Sequence, residues 1–165
     1  MSALTHHPSP RPAPRRPGAA MALALAALVA LMTAPALAAA GPEVLAVTAS
    51  STDGMLMDAV DGDEATAWQN RREGEQAAWL AVRFARETRL HGVRLVLDAL
   101  PPDVTLDLET SRDGARFTPA LTGLHGGGEH LFRQPAAALY VRVRFAYAGT
   151  GQAPRFRLRE LVPLG

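Results

Sequence analysis

The chain has no cysteine and no lysine, few aromatic residues and no apolar run long enough to cross a bilayer. Without cysteine there are no disulfide staples, no thiol nucleophile and no Cys-type zinc site. Stability must then come from core burial, with a bound metal as the one other source of cross-linking. All 17 basic residues are arginine, and three of them fall in the first 20 positions. A product starting near Ala39 would set 14 arginines against 16 Asp and Glu, a formal charge of −2. Such a balance offers nucleic acid no electrostatic footprint. Also missing are a Ser-His-Asp order with a nucleophile elbow, a P-loop and a zincin helix, so no catalytic constellation is expected.

The first 40 residues read differently from the rest. Pro8, Pro10, Pro12, Pro14 and Pro17, interleaved with Arg11, Arg15 and Arg16, cannot form a helix or strand core. They lead into twelve apolar residues, Met21 to Met32, too few for the roughly 20 that span a bilayer but suited to a signal-peptide core. Pro35 follows, then Ala36, Ala38 and Ala40, which offer cleavage after Ala38 or Ala40. Residues 1–38 are therefore expected to be a basic leader and Sec-type signal. Residues 39–165 are expected to form one secreted or periplasmic domain.

Beyond Pro42 the sequence breaks into short alternating runs separated by Gly, Pro and Asp, the pattern of an all-β sandwich or barrel. The runs are Val44–Ala49, Trp79–Phe84, Leu90–Leu97, Val104–Thr110, Phe117–Leu121, His130–Phe132, Leu139–Tyr147 and Phe156–Val162. In Tyr140–Tyr147 the period of two sends Val141, Val143 and Phe145 to one face and Arg142 and Arg144 to the other. Val104, Leu106 and Leu108 alternate likewise with Thr105, Asp107 and Glu109.

Between Asp58 and Trp68 lie four carboxylates within seven residues, Asp58, Asp61, Asp63 and Glu64, beside Gly62. Crowding them in a tight turn is costly unless a cation or solvent screens them. A hard cation such as calcium takes oxygens from carboxylates, hydroxyls and carbonyls. The alternative is a solvated Asp-Gly turn in which Thr66 bonds its own backbone.

In order along the chain, Ala59–Trp68, Trp79–Phe84, His91–Leu95, Leu108–Phe117, Leu139–Val143 and Leu158–Leu161 resemble the discoidin, or coagulation-factor type C, family, which includes the family 32 carbohydrate-binding modules. The resemblance implies an eight-stranded antiparallel jelly-roll β-sandwich with the galactose-binding-like fold. It also implies a structural calcium held by the carboxylates of Asp61 and Glu160, the hydroxyl and carbonyl of Thr66, and the carbonyls of Asp58, Asp63 and Arg159. Trp68 and Trp79 are expected in the core, and Arg142 packed and paired with a carboxylate.

A ligand would bind on the loops at one end of the sandwich. Asn70, Arg71 and Arg72 offer groups that bond hydroxyls or pair with a carboxylate or sulfate, and Asp98 heads the short loop Asp98–Asp103. A solvated charged loop is the competing reading. Met55, Met57 and Leu100 are expected to pack in the core or loops; the adjacent Asp53, Asp58 and Asp98 argue against an anionic membrane surface. His125–His130 is read as a glycine-rich hairpin. A non-catalytic module for a glycan is the leading expectation, and a scaffold for an envelope protein the alternative.

Overall fold

The computed structural model describes residues 41–71 and 74–165. The expected leader, its cleavage sites and Arg72 lie outside the described residues. Seven strands form: β1 (Val44–Ala49), β2 (Trp68–Gln69), β3 (Ala77–Leu97), β4 (Val104–Ser111), β5 (Thr118–Leu124), β6 (Gly128–Tyr147) and β7 (Arg157–Leu164). Every pairing among them is antiparallel. A 3-10 turn, Leu56–Ala59, is the one helical element among the described residues.

The pairings divide these strands into two layers. One runs β1, the first half of β3, the second half of β6, β4 and β5. The other runs β2, β7, the second half of β3 and the first half of β6. This is a jelly-roll sandwich, and β3 and β6 belong to both of its layers. The eight alternating runs consequently occupy six strands, with the two-residue β2 as a seventh. Trp79–Phe84 and Leu90–Leu97 join as β3, while His130–Phe132 and Leu139–Tyr147 join as β6.

β3 turns between layers where its register against β6 shifts, between Arg83 and Thr88 and again between Leu90 and Gly92. At Gly92 the strands approach so closely that a Cβ would lie 2.4 Å from the His130 carbonyl oxygen. Only glycine fits there, because the obstacle is backbone.

The core follows the period of two. Val141, Val143 and Phe145 are buried with Val104, Leu106 and Leu108, as the alternation requires. Phe145 stacks on Phe156 with ring centroids 5.1 Å apart and lies 6.1 Å from Trp68. Trp68 is fully buried, and its indole N–H donates to the Ser51 carbonyl at 3.1 Å.

Trp79 is not in the core. It stands between buried Ala78 and Leu80, so its side chain points to the outer face and is half-buried there. The Arg142 guanidinium lies over it, 5.7 Å from the ring centroid, and 3.8 Å from that of Phe117. Arg142 also pairs with Glu109, the carboxylate expected for it. Met55 and Met57 are exposed rather than packed, at 68% and 46%. They sit at and beside the 3-10 turn, whose buried side chain is Ala59. Leu100 does pack, half-buried against the core.

The two chain segments at the domain's edge meet at one end, where Gly165 lies against Pro42 and Arg89. Ser50, Gln76 and Ala148 mark the opposite end: Ser50 N–H donates to Trp79 O, Tyr147 N–H to Gln76 O, and Ala148 N–H to Asp103 O.

Candidate functional site

Two polar constellations stand out, and the acidic turn is the first. The hydroxyl oxygen of Thr66 lies 3.3 Å from the Asp58 carbonyl, 2.9 Å from the Asp63 carbonyl and 3.2 and 3.0 Å from the two carboxylate oxygens of Asp61. A hydroxyl has one proton to donate. Five oxygens thus converge with a single hydroxyl proton among them. Asp63 shapes the turn instead of facing this cluster: its carboxylate accepts the Ala65 N–H at 2.9 Å, and its own N–H donates to Asp61 at 2.9 Å.

From the far end of the chain β7 brings Glu160, which is 4% exposed and accepts the Gly62 N–H at 3.1 Å. Burial is the main cause that raises the Glu160 pKa. Its hydrogen bond from Gly62 works in the opposite direction, and the Asp61 charge adds to the rise. Beside it, Arg159 has no Cα partner on β3 or β2, because Leu158 faces Leu97 while Glu160 faces Val96. Arg159 is thus the extra residue of a β-bulge, left outside the ladder. Its side chain turns over the acidic turn: Nη1 donates to the Glu64 carbonyl at 3.0 Å and Nε to Asp98 at 2.8 Å. Arg94 holds the Glu64 carboxylate at 3.1 Å.

Among the described residues no group of three or more His, Cys, Asp or Glu side chains is arranged to hold a metal. The donor set here has a different composition: two carboxylates, one hydroxyl and backbone carbonyls. That all-oxygen set suits a hard cation, and the two carboxylates would relieve their own repulsion by binding one.

The second constellation is a polar cleft of about 380 Å³ lined by Ser50, Ser51, Thr52, Arg71 and Glu75. It lies at the Ser50 end of the sandwich, away from Gly41 and Gly165. Glu75 forms one wall, its carboxylate accepting from the Ser51 hydroxyl at 2.9 Å and the Asn70 amide at 3.1 Å. The Arg71 N–H donates to the Ser51 hydroxyl at 3.2 Å.

Of the four residues expected on a ligand, Arg71 reaches this cleft. Asn70 does not: it is fully buried, with its amide oxygen accepting the Phe156 N–H at 2.8 Å. A side chain enclosed and bonded in this way fastens the chain after β2 to the chain before β7 and has no face left for a ligand. Asp98 is also taken, by Arg157 at 3.2 Å and Arg159 at 2.8 Å. Sequence reasoning missed Ser50, Ser51, Thr52 and Glu75. The Ser-Ser-Thr-Asp-Gly stretch from Ser50 has the composition of a loop, but only the fold brings Ser51 to Arg71.

The glycine-rich segment forms a tight connection: β5 ends at Leu124 and β6 begins at Gly128. His130 Nε2 sits 3.0 Å from the Gly126 carbonyl, inside that hairpin. Among the described residues no helix is long and apolar enough to cross a membrane.

No curated protein matches the chain. Solved structures do. A chitosan-binding module from the chitosanase/glucanase of Paenibacillus sp. IK-5 is 27% identical, with a TM-score of 0.61 over 73% of this chain and 94% of that one. The family 32 module of AlyQ, solved with 4,5-unsaturated mannuronic acid, is 18% identical, with a TM-score of 0.61 over 75% and 97%. A family 32 module of Clostridium perfringens, solved with GalNAc-β-1,3-galactose, is 19% identical, with a TM-score of 0.59 over 73% and 94%. The profile of the F5/8 type C domain matches residues 46–158, from β1 into β7. The chain therefore belongs to the F5/8 type C, or discoidin, domain family.

Proposed function

We propose that this protein is an exported, non-catalytic module that binds a glycan through the loops at the Ser50 end of the sandwich. The observation that carries it is the polar cleft lined by Ser50, Ser51, Thr52, Arg71 and Glu75, away from the chain segments that meet at Gly165. The similarity to carbohydrate-binding modules supports the same reading, as does the signal-like N-terminal sequence. Affinity electrophoresis and glycan-array binding against neutral and acidic polysaccharides test it. Retardation that Ser51→Ala or Arg71→Ala abolishes supports it, and no binding across the panel refutes it.

A protein partner is the second reading, and one observation favours it. Among the described residues no aromatic lines the cleft, so they offer no flat platform on which a sugar ring stacks. Co-purification of a stable envelope protein that survives loss of glycan binding would select this alternative.

The acidic turn has a separate role in this proposal. Asp61, Glu160 and Thr66, with the carbonyls of Asp58, Asp63 and Arg159, would hold calcium. The convergence of five oxygens on the single Thr66 proton and the burial of Glu160 support it. When bound, the ion would supply a cross-link between the first loop and the last strand. Calcium titration of the melting temperature tests it.

A further inference from the structure

We infer that the end of the sandwich where Gly41 and Gly165 lie docks an acidic, extended segment of a partner protein, in a groove between β5 and the bend of β6. This surface is separate from the Ser50 end and does not depend on the glycan reading. The charges of the domain are unevenly placed. The bend of β3, the β4–β5 turn and the bend of β6 come together here: Arg89 faces Ala137 across the ladder, and Arg112 Nε donates to the Ala137 carbonyl and pairs with Glu87, both at 3.2 Å. These segments gather Arg83, Arg86, Arg89, Arg112, Arg116 and Arg133 against only Glu87 and Asp113, with Glu43 added by the entering chain. The remaining described residues carry seven arginines and twelve carboxylates. Arg86, Arg89, Arg116 and Arg133 are exposed, and among the described residues their guanidiniums have no hydrogen-bond or ion-pair partner.

The same end is concave. Two clefts of about 280 and 380 Å³ share Thr110 and Thr118 and so form one groove. Phe132, Ala120 and Ala136 give it an apolar lining that continues the core, while Arg112, Arg116 and Arg133 bring three positive charges. Among the described residues Asp113 is the one carboxylate in this lining, and it is bonded within its own turn, accepting the Ser111 hydroxyl at 3.0 Å and the Ala115 and Arg116 N–H groups at 2.9 and 2.8 Å. Thr118, Pro119 and Ala120 belong to β5, the last strand of its sheet, whose outer edge has no strand beside it among the described residues.

Each of these features calls for a different part of one occupant. An open strand edge takes the main chain of an extended segment. Guanidinium forks take carboxylates, and the apolar lining takes apolar side chains. An extended chain sends alternate side chains to opposite faces, so acidic residues alternating with apolar ones answer all three at once. A polyphosphate would answer the charge alone.

Fluorescence anisotropy of the purified protein tests this with a labelled peptide of alternating Glu and Val, against its Gln and Val counterpart. The acidic peptide is expected to bind about tenfold or more tightly, with the preference shrinking at high salt. Arg116→Gln combined with Arg133→Gln should remove the preference and, because neither guanidinium is bonded in the fold, should melt as the parent does. Gln134→Glu, which adds a negative charge to the groove at nearly constant size, should weaken the acidic peptide, whereas Arg144→Gln, outside the groove, should not. Equal binding of the two peptides overturns the inference, as does a preference that survives the double variant. Tighter binding of inorganic polyphosphate or of phosphatidylglycerol vesicles than of the acidic peptide also overturns it, because charge alone would then select the partner.

Discussion

The backbone N–H of Gly62 donates to the Glu160 carboxylate at 3.1 Å, across 98 residues of chain. This contact joins the first loop of the domain to its last strand, and it makes the acidic turn a tertiary feature instead of a local one. With calcium present the same carboxylate would bridge to Asp61. Millimolar calcium should therefore raise the melting temperature by several degrees relative to chelator. Sites of this kind in extracellular modules have Kd of about 10⁻⁴–10⁻³ M, so 1 mM calcium binding to the folded state adds roughly 0.4–1.4 kcal/mol. Asp61→Ala should abolish the calcium response. A response unchanged in that variant removes the turn as the site.

The pH dependence without calcium follows from the burial of Glu160. Its pKa is raised above the ordinary value of 4.5, so the folded state holds the proton more tightly than the unfolded state. Stability contributed by this group is present below the ordinary value and is lost as pH rises through the raised one. In chelator, Glu160→Gln should flatten the stability profile over that window and melt higher than the parent at neutral pH, with no gain from calcium. Asp113 has the opposite sign. The N–H groups of Arg116 and Ala115 and the Ser111 hydroxyl depress its pKa, so its contribution is present above 3.8 and is lost as pH falls through the lowered value. Thermal melts across pH, in parent and Glu160→Gln, measure both.

Asn70→Ala should be costly although the residue lies in a loop. It strips the Phe156 N–H of its buried acceptor and removes one donor from Glu75. An orphaned buried group of this kind costs about 1–3 kcal/mol. The melting temperature should fall accordingly, and hydrogen exchange at Phe156 should accelerate. Full parental stability would show that water replaces the amide without loss.

Arg142 and Arg144 alternate on one face of β6, yet their removal should differ. Arg142 is sandwiched by Phe117 and Trp79 and paired with Glu109. Among the described residues Arg144 pairs with Asp107 alone, at the long distance of 3.5 Å and with 44% of its side chain exposed. Arg142→Ala is expected to cost about 1–2 kcal/mol through lost cation–π contact and packing. Arg144→Ala should fall within about 0.5 kcal/mol, as exposed ion pairs do. Chemical denaturation of the two variants side by side decides the point.

Those contrasts show where the sequence was legible. The inward faces of β4 and of the second half of β6 were readable because one alternating run fixes its own two faces, whatever it later pairs with. Trp79 carried the same signal. Ala78, Leu80, Val82 and Phe84 already claim the inner face, which leaves Trp79 outside; the size of the side chain argued for the core and misled. The merging of runs into β3 was hidden, since Ala85–Arg89 has the composition of a turn and continues as strand only because its register shifts there.

The site was less legible, for a physical reason. Asn70 looks like a surface residue until Phe156, 86 positions away, closes over it. Asp98 looks open to a ligand until the register of β3 against β7 sets Arg157 and Arg159 beside it. Local sequence states which groups are available, whereas long-range pairing decides which of them are already answered. The oxygen types of the acidic turn could be read directly, but the bulge that leaves Arg159 outside the ladder could not.

The passage of β3 and β6 through both layers has a consequence for how the domain comes apart. In a sandwich whose layers share no strand, one sheet can peel away while the other persists. Here neither layer can detach without tearing two strands at their bends, and every other strand hydrogen-bonds to one of those two or to a neighbour of one. Separation of the layers and loss of the hydrogen-bond ladders must therefore coincide, so the sandwich should unfold in a single cooperative step.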